Sequence, residues 1–124
     1  MSGETVAVEL YYHAVERDVL VLKADGGLNE EVAEQMEAQL ATLVDSGVRK
    51  VLVDCGGLRY ISSAGVRVLM RVHRHLAERG GDVRLAAVDS FVVRVLEIAR
   101  LNQHFRIYTT ADDALAAFRK EARA

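Results

Sequence analysis

Short apolar runs alternate with amphipathic segments along most of this chain, and the alternation strongly limits the folds open to it. Runs with the two-residue period of a strand, or with continuous apolar character, predict strands at residues 6–12, 18–25, 50–54, 82–88 and 105–108. Apolar residues at three- and four-residue steps predict helices at residues 29–46, 63–79, 91–101 and 110–122. After an opening pair of strands, helices and strands follow one another. The sequence therefore predicts an α/β fold, a mixed, mostly parallel β-sheet of about five strands with about four packed helices.

The helix predicted at residues 63–79 has two distinct faces. Its inner face is expected to consist of Val66, Leu69, Met70, His73, Leu76 and Ala77. Its outer face is expected to consist of Arg67, Arg71, Arg74 and Glu78. The arginines give a protein of formal net charge −2 a local basic stripe.

Size and composition fit a single domain over residues 1–124. A typical domain has ~100–150 residues, and 51% apolar residues provide a core that needs no disulfide or metal. The single cysteine, Cys55, is expected to pack inward and suits a reducing compartment. A secretory signal and a run near the ~20 apolar residues of a membrane span are both missing. We expect a cytoplasmic protein that is monomeric when free and does not associate with membranes.

Nucleic-acid binding and catalysis find little support in the sequence. A general nucleic-acid binder is usually basic, whereas the pI here is near 6.1. The glycine pairs at 26–27 and 56–57 lack the spacing of nucleotide-binding loops and are interpreted as turns. Neither Ser62 nor Ser63 lies in a Gly-x-Ser-x-Gly motif, and the four histidines lack metal-ligand spacing. We therefore expect no enzymatic activity, no catalytic residue, no metal site and no cofactor.

Residues 51–70, VLVDCGGLRYISSAGVRVLM, form the most informative stretch. A strand leads into small residues at a helix start, where uncovered backbone N–H groups and the helix dipole suit negative charge. Ser62 alone is interpreted as a helix cap. A phosphate on Ser63 would lie beside the helix N-terminus, and Arg67, four residues on, could pair with it. Spacing alone does not choose between capping and phosphorylation.

The same stretch resembles the STAS-domain anti-sigma factor antagonists of bacteria. The matching residues are 54–57 and 60–69, with further likeness at 27–29, 105–108, 110 and 114–115. Because these positions span nearly the whole chain, the resemblance implies one STAS domain over residues 1–124. Ser62 and Asn29 stand where many relatives have aspartate, which removes negative charge near the implied site.

The resemblance implies function by partner switching. The unphosphorylated chain would bind an anti-sigma factor that is itself a serine kinase, and a sigma factor would be released. Phosphorylation on Ser63, with Ser62 as the second choice, would disrupt the complex, and a metal-dependent serine phosphatase would reset the cycle. ATP and metal would belong to these partners.

The partner-binding surface is expected around the implied phosphoacceptor. Its predicted residues are Asn29, Ser62, Ala64, Gly65, Val66, Arg67 and Arg71. Ala64 and Gly65 would let a partner's backbone approach closely, and the arginines would steer an acidic surface. Phosphorylation is expected to block this contact by bulk and charge, with little conformational change.

Two other functions are open at this stage. The first is a STAS adaptor that is never phosphorylated, as a subunit of a lipid-transport assembly or a signalling complex. The second is a sensor that binds a small anion or nucleotide at the start of the helix at 63–79.

Overall fold

The computed structural model describes residues 7–122, which form a five-stranded sheet with four α-helices. The strands are β1 (Ala7–Tyr12), β2 (Val19–Leu28), β3 (Lys50–Ile61), β4 (Asp82–Ala86) and β5 (Arg106–Tyr108). The helices are α1 (Glu30–Asp45), α2 (Ser63–Ala77), α3 (Ser90–Ile98) and α4 (Ala111–Ala122), with a short 3-10 turn at Leu101–Gln103. Neighbouring strands follow chain order, β1 antiparallel to β2 and the others parallel. The predicted α/β fold with a mixed, mostly parallel sheet is confirmed.

The sheet is covered on both faces, and β3 shows how its sequence achieves this. Val51 and Val53 point into the core formed with α1, α2 and α3, whereas Leu52 points into the core formed with α4. This alternation is the period of two that a strand imposes on its side chains. Parallel crossovers of the usual hand place α1, α2 and α3 on one face of the sheet, which leaves α4 to cover the other.

The glycine pairs lie inside strands, so the prediction that they are turns was wrong. β2 and β3 continue through residues 26–27 and 56–57 and pair there, with shifts of register. Asp25 lies opposite Gly57, and a Cβ atom on Gly57 would overlap the Asp25 carboxylate. Glycine thus allows the two irregular strands to approach each other, a role as common for strand glycines as marking a turn.

The buried face of α2 differs in part from the predicted one. Its buried residues are Ala64, Gly65, Val68, Leu69, Val72 and Leu76. Of the other predicted inner residues, Val66 and Met70 are partly buried, His73 is half-buried and Ala77 is exposed. The predicted outer residues Arg67, Arg71, Arg74 and Glu78 are all exposed. The apolar stripe therefore runs through Val68 and Val72, which the prediction omitted.

The first strand also departs from its expected pattern at one end. Val8 and Leu10 pack against the core, as the two-residue period predicts, but Tyr12 is 52% exposed. Val6, the first residue of the predicted strand, lies outside the described residues.

Candidate functional site

The starts of α1 and α2 lie side by side at the carboxyl ends of β2 and β3. The Ser62 hydroxyl donates a hydrogen bond to the Leu28 carbonyl oxygen at 2.8 Å, and the Ser62 backbone N–H donates to the same oxygen at 2.9 Å. The next residue after Leu28 is Asn29, whose side-chain oxygen accepts from the Val32 N–H at 2.9 Å and caps α1. One backbone carbonyl therefore links the two helix starts.

The two adjacent serines have different environments. Ser62 is half-buried, and its hydroxyl also accepts from the Gly65 N–H at 3.1 Å, which confirms its interpretation as the cap of α2. Ser63 is the first residue of α2 and is exposed. Its hydroxyl has no hydrogen-bond partner among residues 7–122. The structure thus leaves the hydroxyl of Ser63 accessible to another molecule.

The small residues after Ser63 serve the interior. Ala64 is 8% exposed and Gly65 is buried. A Cβ atom on Gly65 would lie 2.9 Å from Ile61 Cγ1 and 3.0 Å from Leu28 Cγ. The small size of Gly65 therefore lets α2 pack against the ends of β2 and β3. The approach of a partner's backbone to Ala64 and Gly65 stays a prediction.

A groove of about 370 Å³ runs between α2 and α3 beside Ser63. It is lined by Ile61, Ser63, Val66, Arg67, Val95, Ile98 and Ala99, a set that we call the α2–α3 groove. Five of these seven residues are apolar, and Ile98 is 76% exposed. An exposed isoleucine beside this partly open apolar lining offers a contact point for a partner.

The contribution of α3 to this groove was missed at the level of sequence. The signal lies in residues 91–98, where Val92 and Leu96 already form a buried stripe. Phe91, Val95 and Ile98 follow at three- and four-residue steps on another face of the same helix, and Phe91 is 56% exposed. An apolar face beyond the one needed for the core indicates a second contact.

The two arginines of the predicted partner surface are held differently. Arg71 Nη1 lies 3.1 Å from Glu37 Oε1 of α1, so its charge is partly balanced within the chain. Arg67 lies in the α2–α3 groove with Ser63 and forms no ion pair within the described chain. No carboxylate stands among the described residues that line the groove. Its local charge is therefore positive.

The other candidate residues, Cys55, His73 and His75, each interact with groups of the same chain. Burial and the neighbouring charge of Asp54 raise the pKa of the Cys55 thiol to about 12, so the thiol stays protonated at neutral pH. His73 stacks edge-on against Phe105, with ring centroids 5.1 Å apart, while His75 Nε2 lies 3.3 Å from Asp45 Oδ1. Over residues 7–122 we find no group of three or more metal-ligating side chains.

Among the helices within residues 7–122, none combines the length and the apolar character that a membrane span requires.

Comparison with known proteins agrees with this arrangement. The STAS domain family matches residues 13–114. BtrV of Bordetella bronchiseptica, named as an anti-sigma factor antagonist, is 39% identical over 101 residues, which cover 82% of this chain and 87% of BtrV. An anti-sigma factor antagonist structure from Thermotoga maritima superimposes with a TM-score of 0.83 at 22% identity, covering 90% and 94% of the two chains. The phosphorylated form of the Bacillus cell fate determinant SpoIIAA gives 0.74 at 21% identity, covering 90% and 99%.

The fold and the paired helix starts define a small α/β domain of the STAS type. Since the family match covers most of the chain and BtrV is similar over most of its length, this chain belongs to the STAS-domain anti-sigma factor antagonist family.

Proposed function

We propose that this chain is an anti-sigma factor antagonist that acts by partner switching. In its unphosphorylated form it binds an anti-sigma factor with serine kinase activity, and a sigma factor is released. Phosphorylation on Ser63 disrupts the complex. The observation that carries the proposal is the exposed Ser63 hydroxyl, which lies at the start of α2 on the lining of an apolar groove.

The chemical steps belong to the partners. The kinase transfers the γ-phosphoryl group of ATP to Ser63 Oγ: the Oγ–P bond forms, the bond to ADP breaks and the hydroxyl proton is released. A metal-dependent serine phosphatase returns the hydroxyl by hydrolysis and releases inorganic phosphate. This chain contributes an acceptor oxygen and a binding surface, which require no cofactor of its own.

Hydrogen bonding favours Ser63 over Ser62 as the acceptor. Transfer to Ser62 would have to break its bond to Leu28 and remove the cap that holds Gly65, a cap of a kind worth ~1 kcal/mol. Transfer to Ser63 breaks no hydrogen bond of the described chain. The added charge would lie at the N-terminus of α2, where the helix dipole stabilises it.

The docking surface in this proposal is the α2–α3 groove together with exposed Asn29. Arg71 contributes less to this surface, because its charge is already paired with Glu37. A phosphate in such a contact brings bulk and about −1.5 to −2 charges that must be desolvated. A hundred- to thousandfold loss of affinity needs only ~3–4 kcal/mol, so blocking requires no refolding.

Two relatives support the proposal. BtrV is named as an anti-sigma factor antagonist and is similar over most of its length. SpoIIAA shares the fold and is known in a phosphorylated form. For this chain we infer an anti-sigma serine kinase as the binding partner and a serine residue as the modified group.

The test is a kinase assay with purified chain, Mg-ATP and candidate anti-sigma serine kinases from the same organism. We expect phosphate on Ser63 by mass spectrometry and loss of kinase binding in calorimetry. Ser63→Ala should bind the kinase but take up no phosphate, and Ser63→Asp should bind more weakly. Ser90→Ala is the matched control, because Ser90 is also an exposed first residue of a helix.

Two outcomes would contradict partner switching. Kinase binding that is the same in Ser63→Ala and Ser63→Asp, without phosphate uptake, would indicate an adaptor. Nucleotide binding by this chain alone would indicate a sensor.

A further inference from the structure

We propose that the partner and the phosphate compete for Arg67. In the unphosphorylated chain, Arg67 pairs with a carboxylate of the partner while an adjacent apolar side chain of the partner fills the α2–α3 groove. In the phosphorylated chain, Arg67 pairs instead with the phosphate on Ser63. This inference rests on the proposed function and adds to it the chemistry of the docked segment and the group through which phosphorylation acts.

The positions of the two residues make this pairing geometrically accessible. Ser63 and Arg67 are four residues apart in α2 and line the same groove. Side chains at this spacing are neighbours on a helix surface, with Cβ atoms ~5–6 Å apart. A guanidinium group also presents paired N–H donors that match the oxygens of a phosphate or a carboxylate.

Arg67 is also available to pair with a new anion, in contrast to Arg71 and Arg59. Arg71 is bound to Glu37, and Arg59 lies 3.9 Å from Asp89. Arg67 has no such partner in residues 7–122. A cation exposed beside an apolar groove can therefore change partners without first breaking an ion pair.

The chemistry of the docked segment follows from the groove lining. Ile61, Val66, Val95, Ile98 and Ala99 supply apolar walls, and Arg67 supplies positive charge that no described lining carboxylate balances. The volume of about 370 Å³ lies at the lower end of the ~300–1,000 Å³ typical of small-ligand sites. A large apolar side chain next to a carboxylate complements both the walls and the charge.

Attachment to the same helix gives the phosphate an advantage over the partner. The phosphate reaches Arg67 within one molecule, at an effective concentration in the ~mM range or above, whereas the partner must be captured from solution. Phosphorylation then weakens the complex in two ways. It adds negative charge that repels the partner's carboxylate, and it pairs with Arg67, whose positive charge would otherwise attract that carboxylate.

The first experiment needs no partner. Phosphoserine is installed at position 63 during translation, and the phosphate is titrated by ³¹P NMR. We expect the phosphate dianion to bind a proton about two- to threefold more tightly in Arg67→Ala than in the wild-type chain, because the pairing cation is lost. Arg74→Ala, which removes an exposed arginine of α2 outside the groove lining, should leave the titration unchanged. Equal titrations for wild type and Arg67→Ala overturn the proposal.

The second experiment tests the docked chemistry with a small probe. N-acetyl-leucine, which has an apolar side chain and a carboxylate, is titrated into ¹⁵N-labelled chain and followed by NMR. We expect chemical-shift changes at groove residues that shrink in Arg67→Ala and on phosphorylation. N-acetyl-leucinamide is the control without a carboxylate. An equal response to the amide, or no response in the groove, overturns the proposed complementarity.

The third experiment separates this inference from the proposed function. The kinase that modifies Ser63 is bound to four forms: wild type and Arg67→Ala, each with and without phosphate. We expect Arg67→Ala to weaken the unphosphorylated complex about tenfold and to reduce the effect of phosphate by a similar factor. The same phosphate effect in both backgrounds overturns competition but leaves partner switching intact. Phosphate without effect in either background overturns both.

Discussion

The Ser62 hydroxyl donates to the Leu28 carbonyl oxygen at 2.8 Å, which fastens the start of α2 to the end of β2. These residues are 34 positions apart in the chain, and the same hydroxyl accepts from the Gly65 N–H. One side chain thus caps a helix and joins two neighbouring segments. Its neighbour Ser63 has neither role within residues 7–122, so its hydroxyl is free for the phosphorylation proposed above.

The first prediction concerns this division. Ser62→Ala removes the cap and the link to Leu28, and should lower the free energy of unfolding by ~1–2 kcal/mol in urea denaturation. Ser63→Ala is the matched control, because it loses a hydroxyl without losing a hydrogen bond within residues 7–122. Equal stability of the two variants would contradict the assignment of the structural role to Ser62.

The second prediction concerns the close approach of Gly57 to Asp25. Gly57→Ala should destabilise the chain by ~1–3 kcal/mol, because the new methyl group overlaps the Asp25 carboxylate. In the double variant with Asp25→Ala, most of this loss should disappear. Additive losses in chemical denaturation would show that Asp25 is not what crowds position 57.

The third prediction concerns the reactivity of the buried Cys55 thiol. Because burial raises its pKa to about 12, Cys55 should react negligibly with Ellman's reagent at pH 8 in the native chain. It should react fully in guanidinium chloride, where burial is lost. Rapid reaction of the native thiol would contradict the buried placement.

The same pKa difference affects stability at alkaline pH. The unfolded thiol ionises near its ordinary pKa of 9.0, whereas the folded thiol holds its proton until about 12. Stability from this group is therefore present below pH 9 and is lost as the pH rises from 9 towards 12. Denaturation midpoints of Cys55→Ala should fall less steeply with pH over this window than those of wild type.

The fourth prediction concerns Arg84, a buried charge on the α4 side of the sheet. Its side chain is 3% exposed; it bonds Asp82 Oδ2 at 3.0 Å and Glu121 Oε1 at 2.6 Å, and it lies 4.0 Å from the centre of the Phe118 ring. Glu121→Gln removes one of the two carboxylate charges that neutralise the Arg84 guanidinium. Because Glu121 is half exposed, we expect a loss of only ~1–2 kcal/mol, below that of a fully buried pair. Arg106→Gln, which perturbs an exposed partner of Glu121, should cost less.

Acid titration tests the same ion pair in another way. The hydrogen bond from Arg84 lowers the pKa of the Glu121 carboxyl below its ordinary 4.5. The contribution of the Glu121 carboxylate to the free energy of unfolding is complete above pH 4.5 and is lost as the pH falls through the folded-state pKa. Glu121→Gln should therefore lose less stability on acidification than wild type does, and an equal acid loss would contradict this origin.

The sequence predicted the element order well because each helix and strand carries its own periodicity. It could not predict that β2 and β3 continue through their glycines, since that depends on the contact of Asp25 with Gly57, 32 residues later. Local patterns favour a turn at such pairs, and the long-range pairing of two strands overrides them.

Part of the site likewise could not be predicted from local sequence patterns. The sequence predicted the cap at Ser62, but the bond from Ser62 to the Leu28 carbonyl joins residues 34 positions apart and has no local signal. The groove required knowing that α3 lies beside α2, which follows from the order of β3, β4 and β5 in the sheet and the crossover helices that join them. Arg67 was identified from its four-residue spacing to Ser63, because that relationship is local to one helix.

The shared carbonyl at the two helix starts has a consequence for how this domain conveys its state. A helix anchored at its first turn has little freedom to tilt or slide when charge is added to the next residue. Under the proposed switch, phosphorylation therefore changes the surface around Ser63 and not the position of α2, and a partner detects it by direct contact with that surface. A protein bound to α4, on the opposite face of the sheet, would contact the same surface whether or not Ser63 carries a phosphate.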